Sequence, residues 1–141
     1  MNGSRGAESA GMLRRLSYWV STLLLVLWLL AGAGFDLTHA AGALAILRTL
    51  GYPAYLSTML GVCKLLAVPA LLYPRAGRLR EWAYAGVAFD GLGAAYSHLA
   101  IHDTAGATLA PIVFLVFAAM SYWMRRAVDQ AESSPAIDAV A

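Results

Sequence analysis

Lys64 and Asp90 are each the only formally charged residue in a long apolar stretch, Tyr55 to Tyr73 and Trp82 to Ile101 respectively. A charge placed in hydrocarbon is costly and normally needs a partner, so each marks a functional site by default. Lys64 lies nine residues before Tyr73 and Asp90 eight after Trp82, which at ~1.5 Å per helical residue puts both ~12 to 14 Å from the same membrane face. The two are expected to meet. An ammonium beside a carboxylate between helices either fixes helix register as a structural ion pair or serves a bound molecule. In the second case Lys64 donates to a polar head group and Asp90 handles a proton. A lipid-soluble molecule with carbonyl oxygens, such as a quinone, answers to that description.

Gly86, Asp90, Gly93 and Ser97 recur at spacings of four, three and four, as do Ser57, Gly61 and Lys64 at four and three, so each set shares one helix face. Small residues on both faces are expected to let the two backbones approach closely, which adds Gly61, Gly93 and Ser97 to the expected ligand-binding set. A second group gathers at the opposite membrane face. His98 lies sixteen residues beyond Trp82 and Asp36 twenty beyond Leu16, ~24 and ~30 Å along their helices. Asp36 and His39 therefore join the ligand-binding set, with His102 and Asp103 nearby. His98 and His102 have the i, i+4 spacing of a bidentate metal site. No HExxH glutamate accompanies them, and Thr104 and Gly106 point to a helix end, so no metal is expected. A proton relay is the stronger reading, because imidazole titrates near neutral pH. His98 and Asp90 stand about 80° apart on a regular helix, so Ser97 or water must bridge them. The same two groups would also serve as acid and base in a small membrane isomerase.

Four apolar stretches must position these residues: about 16–35, 55–73, 82–101 and 104–124. Each is close to the ~20 residues that cross a bilayer core as a helix. Pro69 is expected to kink the second, and Pro111 sits near the start of the fourth, where its ring costs little. Between the first two, Thr38 is expected to cap a short helix running from His39 to about Leu50 and ending at Gly51. Arg14 and Arg15, then Arg75, Arg78 and Arg80, then Arg125 and Arg126 flank alternate ends of the stretches, which makes that side and both termini cytoplasmic. Glu81 is expected to pair with Arg78 or Arg80. Residues 1–11 and 128–141 are rich in Gly, Ser, Ala and acidic residues and read as disordered tails, leaving 12–127 as one membrane domain. Arg14, Arg15, the first apolar run and Thr38-His39-Ala40 also have the outline of a signal peptide, but the run exceeds the usual ~7 to 15 residue core, so cleavage is not expected.

Of the 141 residues, 60% are hydrophobic and 13% charged, against about 25% charged in soluble domains. The bilayer is therefore the principal partner, and the net charge of +2 gives no basis for nucleic-acid binding. A single cysteine, Cys63, excludes an internal disulfide or CxxC couple and reads as an inert buried thiol. Trp28 is expected to pack or face lipid. The Phe114, Phe117 and Met120 stripe reads as core. Without GxGxxG, a Walker sequence or facing histidine pairs, no tightly bound cofactor is expected. Electrons, if they move, must travel on a diffusible quinone or a partner subunit.

Gly51-Tyr-Pro-Ala-Tyr55, Leu60-Gly-Val-Cys-Lys-Leu66, Arg80-Glu-Trp-Ala-Tyr-Ala-Gly-Val-Ala-Phe-Asp90 and Gly93-Ala-Ala-Tyr-Ser-His98 together resemble the DoxX-like family of small four-helix membrane proteins, over roughly Leu16 to Met124. The first outer loop departs from the family pattern: a lysine followed by His-Pro is replaced by Asp36-Leu-Thr-His-Ala40. The resemblance implies an association with quinone, catechol or oxidative-stress chemistry at the membrane. The expected protein is thus an all-α, four-helix transmembrane bundle with a short outer helix between the first and second spans, lying in the cell inner (plasma) membrane. It is expected to bind a quinone or other lipophilic small molecule as an accessory to redox or detoxification chemistry. The alternatives are the isomerase and a non-catalytic module that assembles a membrane or redox partner protein. A homo-oligomer is compatible with each.

Overall fold

The structure, a computed structural model, describes residues 2–73 and 76–138, with side chains over 9–73 and 76–130. Arg75 and the extreme ends of both tails lie outside the described residues. Among the described residues five helices follow one another: α1 (Asn2–Leu37), α2 (Ala41–Thr49), α3 (Tyr55–Leu72), α4 (Gly77–Ala100) and α5 (Ala105–Asp138). The four long ones form a ring in which α1 packs on α3 and α5, and α4 on α5 and, less closely, on α3. Short α2 leans on α3.

Among the described residues three segments, Ser9–Leu37, Tyr55–Leu72 and Ala105–Gln130, are long and apolar enough to cross a membrane. Helix α4 is long enough, at 24 residues or ~36 Å. Its Arg80, Glu81, Asp90 and His98 make it less apolar than the others. The chain is an integral membrane protein built as an all-α bundle. Leu25, Leu29, Leu71, Tyr84, Val87, Phe114 and Ala118 form its core, one or more from each long helix. α1 and α5 run on through segments whose composition predicts disordered tails. Extending an existing helix adds one hydrogen bond per residue, without the cost of nucleation.

The turns are set by three helix ends of one kind. At α2, Gly51 adopts φ 79°, its N–H donates to the Arg48 carbonyl and that of Tyr52 to the Leu47 carbonyl, the paired bonds of a Schellman termination. His39 (φ 50°) closes α1 in the same way, with bonds from His39 to Asp36 and from Ala40 to Phe35. His102 (φ 53°) closes α4, with bonds from His102 to Leu99 and from Asp103 to His98. Histidine is one of the few non-glycine residues enriched in this left-handed region. Thr38 does not cap α2: its hydroxyl donates to the Gly34 carbonyl one turn back in α1, and α2 starts at Ala41 with no side-chain cap. Thr104 does cap α5, accepting from the Ala107 N–H at 3.3 Å.

At the arginine-rich end, Pro69 lies within α3. Arg80, 3% exposed, sends its guanidinium to the carbonyls of Ala70 and Tyr73. A cation at a helix C-terminus complements the dipole and the unpaired carbonyls there. Arg80 thus ties α4 to the end of α3; it is not a solvated loop charge, and Glu81 is not what its guanidinium bonds.

Candidate functional site

The glycines decide which helices touch. A Cβ on Gly61 would stand 2.7 Å from Leu37 Cγ and 3.1 Å from Asp36 Cβ, closer than real contacts allow. The absence of a side chain at Gly61 therefore lets the end of α1 lie against α3, where Ser57 Oγ donates to the Asp36 carbonyl at 2.9 Å. The small face of α3 consequently meets α1. Gly86 and Gly93 are not where α4 meets α3, since a Cβ at either would meet nothing within 4 Å; the two helices still pack on each other, less closely than the other pairs in the ring. The tight glycine of α4 is Gly91, whose Cβ would lie 2.7 Å from Leu115 of α5.

Asp36 is thereby carried to Lys64. Lys64 Nζ lies 2.7 Å from Asp36 Oδ2, as a hydrogen bond, and 3.5 Å from Asp90 Oδ2. Two carboxylates share one ammonium. The Lys64 stem runs beside Gly32, where a Cβ would stand 3.3 Å from Lys64 Cδ. Side chains on a helix lean toward its N-terminus, so Lys64 reaches from the middle of α3 toward the end where α1 finishes. Side-chain exposures of 17% for Lys64, 13% for Asp36 and 23% for Asp90 show that the three are not sealed in packing.

They open into a cavity of about 540 Å³. Its walls come from α1, α3, α4 and α5, and α2 lies across it through Ala43, Ile46 and Leu47, with Leu50 just past its end. The lining is mostly apolar, with Trp28, Phe35, Phe89 and Phe114 as its aromatics. Trp28 packs on Phe114 at 5.9 Å and on Phe117 at 6.5 Å. Phe114 thus serves both core and cavity, whereas Met120 is 42% exposed. The polar lining consists of Asp36, Tyr52, Lys64, Asp90, Ser97 and His98.

Ser97 donates to the Gly93 carbonyl at 2.7 Å, and its oxygen lies 2.9 Å from Tyr52 OH. With the serine proton committed to Gly93, Tyr52 is the donor of that pair. Ser97 is therefore engaged by Tyr52 and not by Asp90, and the expected hydroxyl bridge from Asp90 to His98 is not formed. Tyr52 is the polar cavity residue absent from the expected set. Its signal was Gly51, whose left-handed turn aims the next residue back over the bundle. His98, 9% exposed, places Nδ1 2.8 Å from Asp103 Oδ2. The Thr104 backbone N–H and His98 hold the Asp103 carboxyl below the ordinary carboxylate value, so it is ionised and orients the imidazole.

Of the remaining expected residues, Gly93 lines the cavity, and Gly61 acts through packing. His39 lies outside the cavity lining, with Nε2 2.8 Å from Thr58 Oγ1. His102 cannot share a helix face with His98, because α4 ends at Ala100. Among the described residues no three His, Cys, Asp or Glu side chains are grouped to hold a metal. Cys63 is exposed on the surface of α3, within a segment apolar enough to cross the membrane.

No curated protein and no solved structure matches the chain significantly. A family profile does, that of the DoxX-like family, over residues 20–121. That span runs from α1 to Ser121 of α5 and takes in every residue of the cavity. The chain belongs to the DoxX-like family.

Proposed function

We propose that the chain binds a lipid-soluble molecule with a hydrogen-bonding head group, a quinone being the best match, as an accessory to redox or detoxification chemistry at the cell inner membrane. The arginine-rich end is the cytoplasmic one, by the excess of Lys and Arg there, so the cavity lies in the outer half. The observation that carries the reading is the cavity's division of labour. Apolar and aromatic walls enclose a few convergent polar groups, which is the usual make-up of a small-molecule site. Lys64 would donate to one carbonyl oxygen of the head, while Asp90, the more weakly held carboxylate, exchanges a proton with it.

The test is saturable binding of decylubiquinone to the purified chain in liposomes. Lys64→Met is expected to weaken it about tenfold or more, the ~1.5–3 kcal/mol of a hydrogen bond from a charged group. Gly93→Leu, which fills the cavity where a Cβ meets nothing, is expected to abolish it. Absence of saturable binding to the folded chain would remove the reading and leave the partner-assembly role. One observation favours the isomerase as a second reading: Asp90 and His98 line the same cavity. With Nδ1 engaged by Asp103, Nε2 is the ring atom left for a substrate. Conversion of the bound molecule by the purified chain without electron transfer would select it.

A further inference from the structure

A second cavity of about 640 Å³ lies toward the arginine-rich end, between α3 and α4. Cys63, Leu66, Ala67, Trp82, Ala83 and Gly86 line it, and apart from Lys64 and Asp90 none of its lining residues is charged. It meets the polar cavity at one wall, made by the residues common to both, Leu60, Lys64, Phe89 and Asp90. That wall is the weakest part of the ring. Lys64 is hydrogen-bonded to Asp36 on α1, whereas its contact across the α3–α4 seam, to Asp90, is the longer one at 3.5 Å. Above and below it, Gly93 and Gly86 leave the seam open.

Resting on the ligand reading above, we propose that the ligand is a single-tailed amphiphile that reaches the site sideways from the lipid, through the α3–α4 seam. Its head lies in the polar cavity and its tail in the apolar one, with the Lys64–Asp90 contact between them. Charge complementarity selects this occupant. The first cavity gathers Lys64, both carboxylates, Tyr52, Ser97 and His98, whereas the second offers, apart from Lys64, Asp90 and the Cys63 thiol, only hydrocarbon and aromatic side chains. From Lys64 to Ala70 the groove follows six residues of α3, ~9 Å. A head group turned downward would lose its hydrogen bonds, which is costly where no water replaces them.

The experiment uses the full chain in liposomes and decylubiquinone carrying a photoreactive diazirine at the end of its tail, with unlabelled decylubiquinone as competitor. Competable adducts are expected on peptides holding Cys63 to Ala67 and Trp82 to Gly86. Gly86→Leu, at a position where a Cβ meets nothing within 4 Å, should occupy part of the groove and weaken binding of the tailed probe roughly tenfold, ~1.4 kcal/mol. The same variant should leave binding of the tail-free benzoquinone unchanged, and that retained binding shows that the variant is folded. Competable adducts confined to α1 or α5 would overturn the tail route and leave the head site standing. Adducts spread evenly over the lipid-facing helices and not competed would mean an annular lipid surface only, overturning the proposal. Loss of binding for both tailed and tail-free quinones in the unaltered chain would overturn the ligand reading as well.

Discussion

Lys64 is predicted to be coupled more strongly to Asp36 than to Asp90, although Asp90 is the partner that depth along the helices suggests. The distances are 2.7 and 3.5 Å, so inverse-distance attraction favours Asp36 by a factor of about 1.3. The larger difference is chemical: only the Asp36 contact is a hydrogen bond, and one to a charged group contributes ~1.5–3 kcal/mol. Coupling energies of about 2 kcal/mol for Lys64 with Asp36 and about 1 kcal/mol or less with Asp90 are therefore expected. The second value lies near the ~0.6 kcal/mol average for polar pairs within membranes. Lys64→Met alone should be the most damaging change, at about 3–5 kcal/mol, because it leaves two carboxylates facing each other away from bulk water. The assay is reversible unfolding in mixed micelles by SDS titration, run on Asp36→Asn, Asp90→Asn, Lys64→Met and both double variants. A Lys64–Asp90 coupling equal to or above that of Lys64–Asp36 would refute the reasoning. So would a Lys64→Met variant as stable as Asp90→Asn.

Other expectations can be read by the same unfolding assay. Gly91→Ala should destabilise by about 1–3 kcal/mol through overpacking against Leu115, whereas Gly86→Ala, facing open space, should be neutral or stabilising by up to ~1 kcal/mol. Ser121 Oγ lies 2.8 Å from both Thr22 Oγ1 and Tyr84 OH, so Ser121→Ala, which removes the shared partner of two hydroxyls, should cost ~1–3 kcal/mol and more than Tyr84→Phe, which leaves the Thr22–Ser121 bond in place. His102→Val should cost ~1–2 kcal/mol, since a β-branched residue fits the left-handed position poorly, and His102→Gly should be tolerated. Asp103 has a depressed pKa, so its stabilisation is complete above the ordinary value of 3.8 and is lost as pH falls through the lower folded value. Asp103→Asn should thus weaken the fold at pH 6 and matter progressively less below pH ~4.

Much of this was legible in the residues. The apolar runs located the long helices within a few residues at most ends, the arginines sorted the two ends of the bundle, and Gly51 ended α2 as its type predicts. Lys64, Asp90, Ser97, Gly93, Asp36 and His98 do line one cavity. What stayed hidden depended on side-chain reach and helix rotation. Counting Cα rises put Asp36 at the surface and Lys64 at mid-depth, because it ignored the length and lean of the lysine stem. A small residue marks a face that can be approached closely without naming the neighbour, so Gly61 was read toward α4 when it meets α1. His39 and His102 looked chemical by residue type, yet their backbones end helices. Tyr52 and Arg80 do their work through tertiary contacts that no spacing displays.

The placement of glycines then gives the bundle a direction of weakness. Gly61 closes the α1–α3 seam and Gly91 the α4–α5 seam, each so tightly that a methyl group would collide. Gly86 and Gly93, on the other side of α4, leave room for a methyl group with nothing within 4 Å of it. A membrane bundle gains no hydrophobic driving force from filling such space, because lipid chains are as apolar as leucine, and close packing must hold it together instead. An open seam therefore forgoes stability on one edge of the ring, and it lies on the edge where Lys64 and Asp90 face each other at their looser distance. α4, the least apolar of the long helices, contributes Asp90, Gly93, Ser97 and His98 to the polar cavity and Gly86 to the apolar one. Packing on α5 through Gly91, with Arg80 bonded to the end of α3, holds this helix while Gly86 and Gly93 stay unpacked. The helix that hydropathy alone ranks as the weakest span is thus the one on which both cavities depend.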